Sequence, residues 1–365
     1  MTHLYWRFIA ARERYPLAGS LNIKASALHR LVGLILPYPD PADVLMIETS
    51  HFKLPPGQTN PMSADGALEQ VNSVRAANQW SVFVHGLRWH GLGVSILHGA
   101  PGLHDQLYTA NPFMTLPPLA PGQRPRAVIG RMQLEHRKQE PDIFKKFFAD
   151  CAYDLIEFSS DIENFECTGD VLKIPGINFA FANVRQRTSL TALEELASLT
   201  NLHLGVLTTR GPFYHLDTAM FMVPNPLAPH RPYIVYWPPA FGPAALKMID
   251  HFFAPDQQIL ITDRHEAEAG FAGNGFGLPQ QDKPTVALAK SAPKTARVLR
   301  DRGLRVLEFE FDEIHKGGGS LFCCKGLWFG PAWDLDRVLG PLWKVPDIVR
   351  PSAAPYYSVT YRHKP

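Results

Sequence analysis

The sequence predicts an α/β fold built from a repeated ββαβ unit. Three successive stretches, starting at Asp170, Thr218 and Phe271, each have the pattern of two strands, a helix and a third strand. Their spacing of roughly 50 residues is typical of a radial array of such units, in which the loops meet at a central channel. A dinucleotide-binding sheet is disfavoured, because no GxGxxG motif follows a strand.

The predicted strands are apolar runs bounded by turn residues, and the predicted helices have apolar residues at helical spacing. Upstream of the repeats, the patterns predict strands at 44–48 and 94–98 on either side of a helix within 64–90. The first repeat has strands at 170–174, 179–182 and 203–207 and a helix at 190–199, the second has strands at 218–223, 233–237 and 258–261 and a helix at 244–253, and the third has strands at 271–277, 285–288 and 305–309 and a helix at 293–302.

These elements predict one domain at residues 42–329. An N-terminal extension at 1–41 precedes it, and a C-terminal tail at 330–365 is expected to pack on it. Within the extension, residues 27–36 predict a short amphipathic helix that ends at Pro37.

The overall composition disfavours several classes of function. With 36 basic and 34 acidic side chains, the net charge of +2 provides no basic surplus for nucleic acid. Four cysteines without a CxxC spacing disfavour a disulfide framework and a zinc site, and a reducing cytoplasm fits best. Arg7, Arg12 and Arg14 interrupt the apolar start of the chain, so we expect no signal peptide, and no apolar run is long enough to span a bilayer.

A glycine tract, 317–319, precedes two cysteines towards the end of the chain. Such a tract allows a tight turn or a close approach to a bound group. The apolar run that follows, 321–324, predicts a short buried strand that would direct one thiol into a pocket. Cys323 and Cys324 could alternatively be two small core residues, since unpaired cysteine is often buried.

Other stretches bring polar side chains together. His215 and Asp217 open a predicted strand, in which residues i and i+2 project to the same face. Asp105 and Asn111 flank another predicted strand. Two carboxylates around a turn and two arginines complete the candidates: Glu166, Asp170, Arg137 and Arg187. Taken singly, each could be a turn residue or a solvated surface charge.

Together these stretches resemble the pentein superfamily of guanidino-group-modifying enzymes. Its members include arginine deiminases, dimethylarginine dimethylaminohydrolases, arginine dihydrolases and amidinotransferases. The likeness covers about residues 43–329 and implies a five-bladed α/β propeller. The motifs, in the family's order, are Asn60-Pro-Met, 102–105 with 108–111, 137–141, 165–166 with 169–170, 187–188, 215–217, 271–274, and 316–320 with Cys323.

The resemblance also implies a role for each candidate residue. Cys323 would be the nucleophile, His215 the general acid and base, and Glu166 a third catalytic residue. The partner would be a small guanidino substrate, arginine or an N-substituted arginine, hydrolysed without a metal or other cofactor. No nucleic acid or membrane partner is expected, and the chain could form a homo-oligomer. The substrate-binding residues would be Asp217, Asp105, Asn111, Asn60 and the pair Arg137 and Arg187, which would hold a carboxylate at the far end of the substrate.

The chemistry of a guanidinium suits these residue types. The group is planar and positive, so Asp217, Asp105 and Glu166 can hold it by charge-assisted hydrogen bonds. The Cys323 thiol would attack its central carbon, and His215 would protonate the departing amine. The same imidazole would then activate the water that releases the thiouronium intermediate.

Departures from the family pattern leave alternative functions open. His104 replaces a proline, and Glu166 stands one residue further from Asp170 than in deiminases, so a non-catalytic binding protein is one alternative. An amidinotransferase, in which an amine replaces water, is another. Asn111 replaces a guanidinium-binding carboxylate of the deiminases and resembles the dihydrolase-related branch. Retention of the cysteine, histidine and aspartate together favours an enzyme.

Adjacent strand residues point to opposite faces, so only one of the two thiols can face the pocket. The resemblance aligns Cys323, rather than Cys324, with the family's nucleophile. An alkylating amidine should therefore label Cys323 and leave Cys324 as a buried structural thiol. Peptide mass spectrometry after labelling measures this, and a label on Cys324 alone would contradict it.

Overall fold

The computed structural model describes residues 38–54, 70–119 and 123–330, together with the course of three short strands outside those ranges. Asn60 and the helix predicted at 27–36 lie outside the described residues. The strands are β1 (Tyr5–Ala10), β2 (Gly19–Lys24), β3 (Asp43–Ile47), β4 (Val94–Leu97), β5 (Phe113–Leu116), β6 (Arg126–Ile129), β7 (Asp154–Ile156), β8 (Val171–Lys173), β9 (Phe179–Asn183), β10 (His203–Leu207), β11 (Met220–Val223), β12 (Tyr233–Tyr236), β13 (Gln258–Leu260), β14 (Phe276–Gly277), β15 (Thr285–Ala289), β16 (Arg305–Phe309), β17 (Gly326–Trp328) and β18 (Ser358–Val359). The helices are α1 (Ser73–Trp89), α2 (Glu140–Asp150), α3 (Cys167–Asp170), α4 (Leu190–Leu199), α5 (Pro243–Phe252), α6 (Arg264–Glu268), α7 (Pro293–Asp301) and α8 (Asp312–His315).

The described strands form five small sheets, and four of them have the same ββαβ connectivity. In each of the four, an antiparallel pair is followed by a helix and a strand parallel to the second strand of the pair. These sets are β5, β6 and β7; β8, β9 and β10; β11, β12 and β13; and β14, β15 and β16.

The fifth sheet joins the two ends of the domain. Strands β3 and β4 are parallel and are connected through α1, as in the other units. Their antiparallel partner, however, is β17, which pairs with β3 from the far end of the domain, with Gly326 opposite Leu45. A Cβ at Gly326 would lie 2.1 Å from Cζ of Phe113, so only glycine fits here.

The ends of the chain add strands to this framework. Strand β1 pairs antiparallel with β10, and β2 pairs with β1. Strand β18 pairs antiparallel with β4. The division into an extension, a domain and a tail stays a prediction.

Aromatic side chains fill much of the core between helices and sheets. The ring of Phe113 on β5 packs against Phe144 and Phe148 of α2, with centroids 4.7 and 4.9 Å apart. These two α2 residues lie four positions apart and therefore on one face of the helix. All three rings are completely buried.

Local capping sets where two of the helices begin. The Asn72 side chain accepts from the backbone N–H of Arg75 (3.0 Å), so the helix predicted within 64–90 begins, in its described part, at Ser73. The Ser189 hydroxyl accepts from Ala192 (3.1 Å), and the helix predicted at 190–199 is α4 with these bounds.

The strand predicted at 218–223 begins later than expected. Residues 216–218 form a 3-10 turn, in which the Thr218 hydroxyl donates to the His215 carbonyl (2.6 Å), and β11 starts only at Met220. Such local side-chain bonds compete with a strand for backbone partners. The strand predicted at 271–277 is likewise shorter than expected, since only Phe276–Gly277 form a strand, β14.

The strand predicted at 321–324 is wrong. These residues form a turn, in which Cys324 N–H donates to the Ser320 carbonyl (3.1 Å), and the strand begins only at Gly326. The alternation of faces expected for Cys323 and Cys324 therefore does not apply.

Within the described part of the chain, no helix is both long and apolar enough to cross a membrane.

Replacing Phe113 by alanine should destabilise the protein by about 3–5 kcal/mol, because it empties a site that neighbouring rings cannot refill. Urea unfolding measures the change. The matched control is Val82→Ala on the solvent face of α1, where Val82 is 59% exposed, and it should change stability by less than about 0.5 kcal/mol. Equal effects of the two substitutions would contradict the packing argument.

Candidate active site

A cleft enclosing about 370 Å³ collects six of the predicted site residues. Glu166 and Asp217 are completely buried and contact the cleft residues His215 and Cys323. The lining residues are Asp105, Tyr108, Asn111, Leu134, Arg137, Arg187, Tyr214, His215, Gly317, Gly319 and Cys323.

The Cys323 thiol is held between an aspartate and an asparagine. Its Sγ donates to Oδ2 of Asp217 (3.2 Å) and accepts from Nδ2 of Asn274 (3.2 Å). Cys323 lines the cleft, whereas Cys324 is completely buried and is not among the lining residues. The difference between the two thiols thus comes from the turn.

Asn274 also belongs to the site, although the sequence alone did not indicate a role for it. Its Oδ1 accepts from the backbone N–H groups of Ser320 (3.1 Å) and Cys323 (3.3 Å), and its Nδ2 also donates to the Asp217 carbonyl (2.9 Å). The sequence feature that could have indicated this role is the motif at 271–274. Its first residue, Phe271, has a left-handed backbone (φ 53°), a costly conformation for a bulky side chain that the surrounding core must hold.

The glycine tract passes close to two tyrosines. A Cβ at Gly317 would lie 2.3 Å from Oη of Tyr108, and one at Gly319 would lie 2.5 Å from its ring. Tyr108 donates to the Ile314 carbonyl (2.6 Å), and Tyr214 donates to the carbonyl of Gly318. Glycine is required here for the close approach of the backbone to Tyr108.

His215 and Glu166 form a buried pair. The imidazole Nε2 lies 2.8 Å from Oε2 of Glu166, whose Oε1 accepts from Arg187 (3.2 Å) and from the backbone of Gln133 (3.1 Å). Burial alone would raise the pKa of Glu166, but Arg187 and His215 outweigh it and hold the pKa well below its usual range. Glu166 is therefore a carboxylate at neutral pH.

The prediction that His215 and Asp217 share a face of a strand is wrong, because His215 precedes a 3-10 turn that contains Asp217. The turn directs the carboxylate to Cys323, while the imidazole contacts Glu166. Burial alone lowers the pKa of His215, but the carboxylates of Asp170, Glu166 and Asp217 outweigh it and raise the pKa.

Arg137 and Arg187 are buried, so their interpretation as surface charges is wrong. Nε and Nη2 of Arg137 donate to the Glu140 carboxylate at 2.7 to 3.0 Å, and Nη1 donates to Oδ1 of Asn111 (3.3 Å). The guanidinium of Arg187 lies 5.3 Å from the ring centre of Tyr214. In the sequence, the three-residue spacing of Arg137 and Glu140 could have indicated that the two side chains form an ion pair.

Asp105 and Asn111 do not flank a strand, since the segment between them consists of turns and β5 begins at Phe113. The Asp105 carboxylate lies 2.9 Å from Nε2 of His136, which is at the partly exposed edge of the site. His104 is not among the residues that line the cleft.

The electrostatics of the thiol favour its protonated form in the empty site. Burial and then the Asp217 carboxylate raise the pKa of Cys323. Burial raises the pKa of Asp217 to about 6. Lys325 is also buried, with Nζ 3.2 Å from the ring centre of Phe322, and burial lowers its pKa to about 7. A cation entering the cleft would favour both the thiolate and the carboxylate.

Comparisons with known proteins identify the family. The model described as N,N dimethylarginine dimethylhydrolase, eukaryotic, matches residues 57–326. The bifunctional arginine dihydrolase/ornithine cyclodeaminase AgrE of Nostoc sp. is 28% identical over 263 residues, which are 71% of this chain and 34% of AgrE. The N(G),N(G)-dimethylarginine dimethylaminohydrolase of Mycobacterium tuberculosis is 28% identical over 235 residues, 64% of this chain and 69% of that protein.

A solved structure supports the same relationship at the level of the fold. The N-terminal domain of ArgZ, an arginine dihydrolase from the ornithine-ammonia cycle in cyanobacteria, matches with a TM-score of 0.66 at 22% identity, over 78% of this chain and 96% of that domain. The chain spans 34% of the length of the bifunctional relatives. Since the family model covers most of the chain, the protein belongs to the N,N-dimethylarginine dimethylhydrolase family, within the pentein superfamily.

Proposed function

We propose that the protein is a hydrolase that acts on the guanidino group of arginine or an N-substituted arginine. The observation that carries this proposal is the Cys323 thiol, which lines a small cleft 3.2 Å from a buried carboxylate and shares that cleft with the His215–Glu166 pair. Thiol, imidazole and carboxylate are the groups that covalent catalysis on a planar cation requires.

The charges of the cleft suit a substrate with a positive end. Oδ1 of Asp217 is buried and makes no hydrogen bond with any residue that the structure describes, so it can accept from a guanidinium N–H. Asp105 provides a second carboxylate. Arg187 and Arg137 line the same cleft and suit a substrate carboxylate, as expected for an amino acid.

The reaction would proceed in two steps. As Cys323 Sγ attacks the guanidinium carbon, its proton passes to His215, which gives it to the departing amine while the C–N bond breaks. A thiouronium cation remains on Cys323. A water then attacks the same carbon and gives one proton to His215. The C–S bond breaks, the sulfur takes that proton back from His215 and departs as a thiol, and the second proton of the water is taken up by the released amine in solution.

The relatives support hydrolysis of this substrate class, because AgrE is named as an arginine dihydrolase and the mycobacterial protein as a dimethylaminohydrolase. The amidinotransferase alternative uses the same cysteine and requires a second amine. The binding-protein alternative is disfavoured, because a thiol that contacts one buried carboxylate and an imidazole that contacts another are the groups that covalent catalysis uses.

We also infer that the five sheets are the blades of an α/β propeller around the cleft. The repeated ββαβ connectivity and the pairing of β17 with β3, which closes the domain on itself, support this arrangement. Residues 42–329 would be the catalytic domain, with 1–41 and 330–365 as additions to it.

Replacing Asp217 by asparagine should make the Cys323 thiol more reactive while it abolishes turnover. Loss of the neighbouring negative charge lowers the thiol pKa by about one unit, so the thiolate fraction at pH 7 rises about tenfold. The rate of alkylation by iodoacetamide at Cys323 measures this. The control is Asp301→Asn on the solvent side of α7, and an Asp217 variant that reacts no faster than this control would reject the electrostatic argument.

Arginine should be hydrolysed beyond citrulline, partly or wholly to ornithine. Asn111 is neutral and can hold a neutral urea about as well as a guanidinium, which permits a second hydrolysis. A time course of citrulline, ornithine and ammonia by mass spectrometry, with methylarginines and agmatine as parallel substrates, measures the outcome. Asn111→Asp should shift the product towards citrulline.

Cys323→Ser is the control for this assay, because it removes the nucleophile with little change in shape and should abolish all products. Stoichiometric citrulline without ornithine would reject the second hydrolysis while leaving the first intact. No turnover of any guanidino compound by the unmodified protein would reject the proposed function.

A further inference from the structure

The amide of Asn111 lies between a cation and the catalytic imidazole. Its Oδ1 is 3.3 Å from Nη1 of Arg137, and its Nδ2 is 3.4 Å from Nδ1 of His215. A guanidinium has donors and no acceptor, so the oxygen of Asn111 must face Arg137. The amide nitrogen, which can only donate, is then the atom that faces His215.

This orientation fixes where the proton of His215 is. Because Nδ2 of Asn111 donates, Nδ1 of His215 must accept and carries no hydrogen. On the other side of the ring, Nε2 lies 2.8 Å from the Glu166 carboxylate, which only accepts. This pattern of hydrogen bonds matches a neutral imidazole with its hydrogen on Nε2, even though the nearby carboxylates favour a second proton.

We infer that Arg137 is a positioning residue that acts through Asn111 to hold His215 as the neutral Nε2–H tautomer. Its Nδ1 thereby carries no hydrogen at rest, and in the proposed reaction the proton that it takes up would come from the thiol. The tautomer follows from the hydrogen bonds alone, and only the identity of the proton donor rests on the proposed function.

The charges around His215 would favour the imidazolium if Asn111 did not hold the neutral form. Three carboxylates around the ring, those of Glu166, Asp170 and Asp217, favour the imidazolium. Two other described neighbours of the ring are neutral: the Tyr214 ring, with its centroid 4.7 Å away, and Gly169. Among the described residues, Asn111 is the one seen to present a donor to Nδ1, so it opposes protonation there directly.

Rotation of the Asn111 amide cannot make protonation of Nδ1 of His215 more favourable. A flipped Asn111 would turn its oxygen to an Nδ1–H of His215, but it would also turn its NH₂ group towards Nη1 of Arg137, donor against donor. Arg137 cannot withdraw, because Nε and Nη2 are held by Glu140 at 2.7 to 3.0 Å and Nη2 also donates to the Tyr108 carbonyl (3.2 Å).

Close packing keeps the amide next to the ring. A Cβ at Gly169 would lie 2.4 Å from Nδ2 of Asn111 and 3.3 Å from the His215 ring, so the backbone of Gly169 closes the space beside both groups. All three residues of the relay, Arg137, Asn111 and His215, are at most 4% exposed.

The identity of residue 111 would then decide how the catalytic cycle starts. A carboxylate at this position could accept from Arg137 and from a protonated Nδ1 at the same time, which favours the imidazolium. His215 would begin each cycle already charged and could not take up the thiol proton. With Asn111, the proton that reaches the departing amine comes from Cys323.

The test is the NMR spectrum of His215 in protein labelled with ¹⁵N-histidine, assigned by comparison with His215→Gln. The unmodified protein should show the neutral Nε2–H tautomer at pH 7. The His215 pKa should rise in the order Asn111, Asn111→Leu, Asn111→Asp, by about one unit at each step. An imidazolium at pH 7 in the unmodified protein, or the same pKa with asparagine and leucine, would overturn the inference.

The role of Arg137 is tested by removing it together with Glu140, as Arg137→Met with Glu140→Gln, so that no buried charge is left unpaired. With Asn111 present, the amide becomes free to rotate and the His215 pKa should rise by about one unit. In the Asn111→Leu protein the same pair of changes should shift the pKa little. Equal shifts in both backgrounds would show that Arg137 acts by charge alone and would overturn its role.

The outcomes separate this inference from the proposed function. The tautomer and its pKa are read without substrate, so they can be right in a protein that does not hydrolyse arginine. Conversely, arginine turnover with His215 protonated at rest would leave the function standing and remove the inference. The Asn111→Leu comparison leaves the Arg137–Glu140 ion pair intact, so it decides the tautomer even if the double variant does not fold.

Discussion

The site depends on one buried amide, that of Asn274. It makes four hydrogen bonds: to the thiol of Cys323, to the backbone of Cys323, to the backbone of Ser320 and to the carbonyl of Asp217. It thus joins three segments that are more than 40 residues apart in the chain. Because an unmet hydrogen bond costs about 1–3 kcal/mol inside a protein, each segment is held in one position relative to the others.

The second constraint is the balance of buried charge. Glu166 is matched by Arg187, and Glu140 by Arg137, each pair almost completely removed from water. Such pairs add little net stability, yet removing one partner is strongly destabilising, so they fix the positions of their members more than they strengthen the fold. Asp217 has no cationic partner at hydrogen-bond distance among the described residues. A positively charged substrate would balance its negative charge.

Geometry and electrostatics therefore serve the same chemistry. Burial and Asp217 both raise the pKa of the thiol and so favour its protonated form. A guanidinium would supply the missing positive charge at the moment when the thiolate is needed, which couples activation of the nucleophile to substrate binding. The close approach of the glycine tract to Tyr108 keeps the loop that carries Cys323 against the wall of the cleft.

The sequence alone determined the repeated ββαβ units, the bounds of α4 and the residue types of the site, because periodicity and short motifs are local properties of the chain. It did not determine that Asp217 and Cys323 lie in turns, since a run of apolar residues suits a strand as well as a buried turn. The partners of Arg137 and the role of Asn274 were decided only by the tertiary structure. Hydrogen bonds and charge pairs between segments far apart in sequence arise from packing, and no local pattern specifies which donor meets which acceptor.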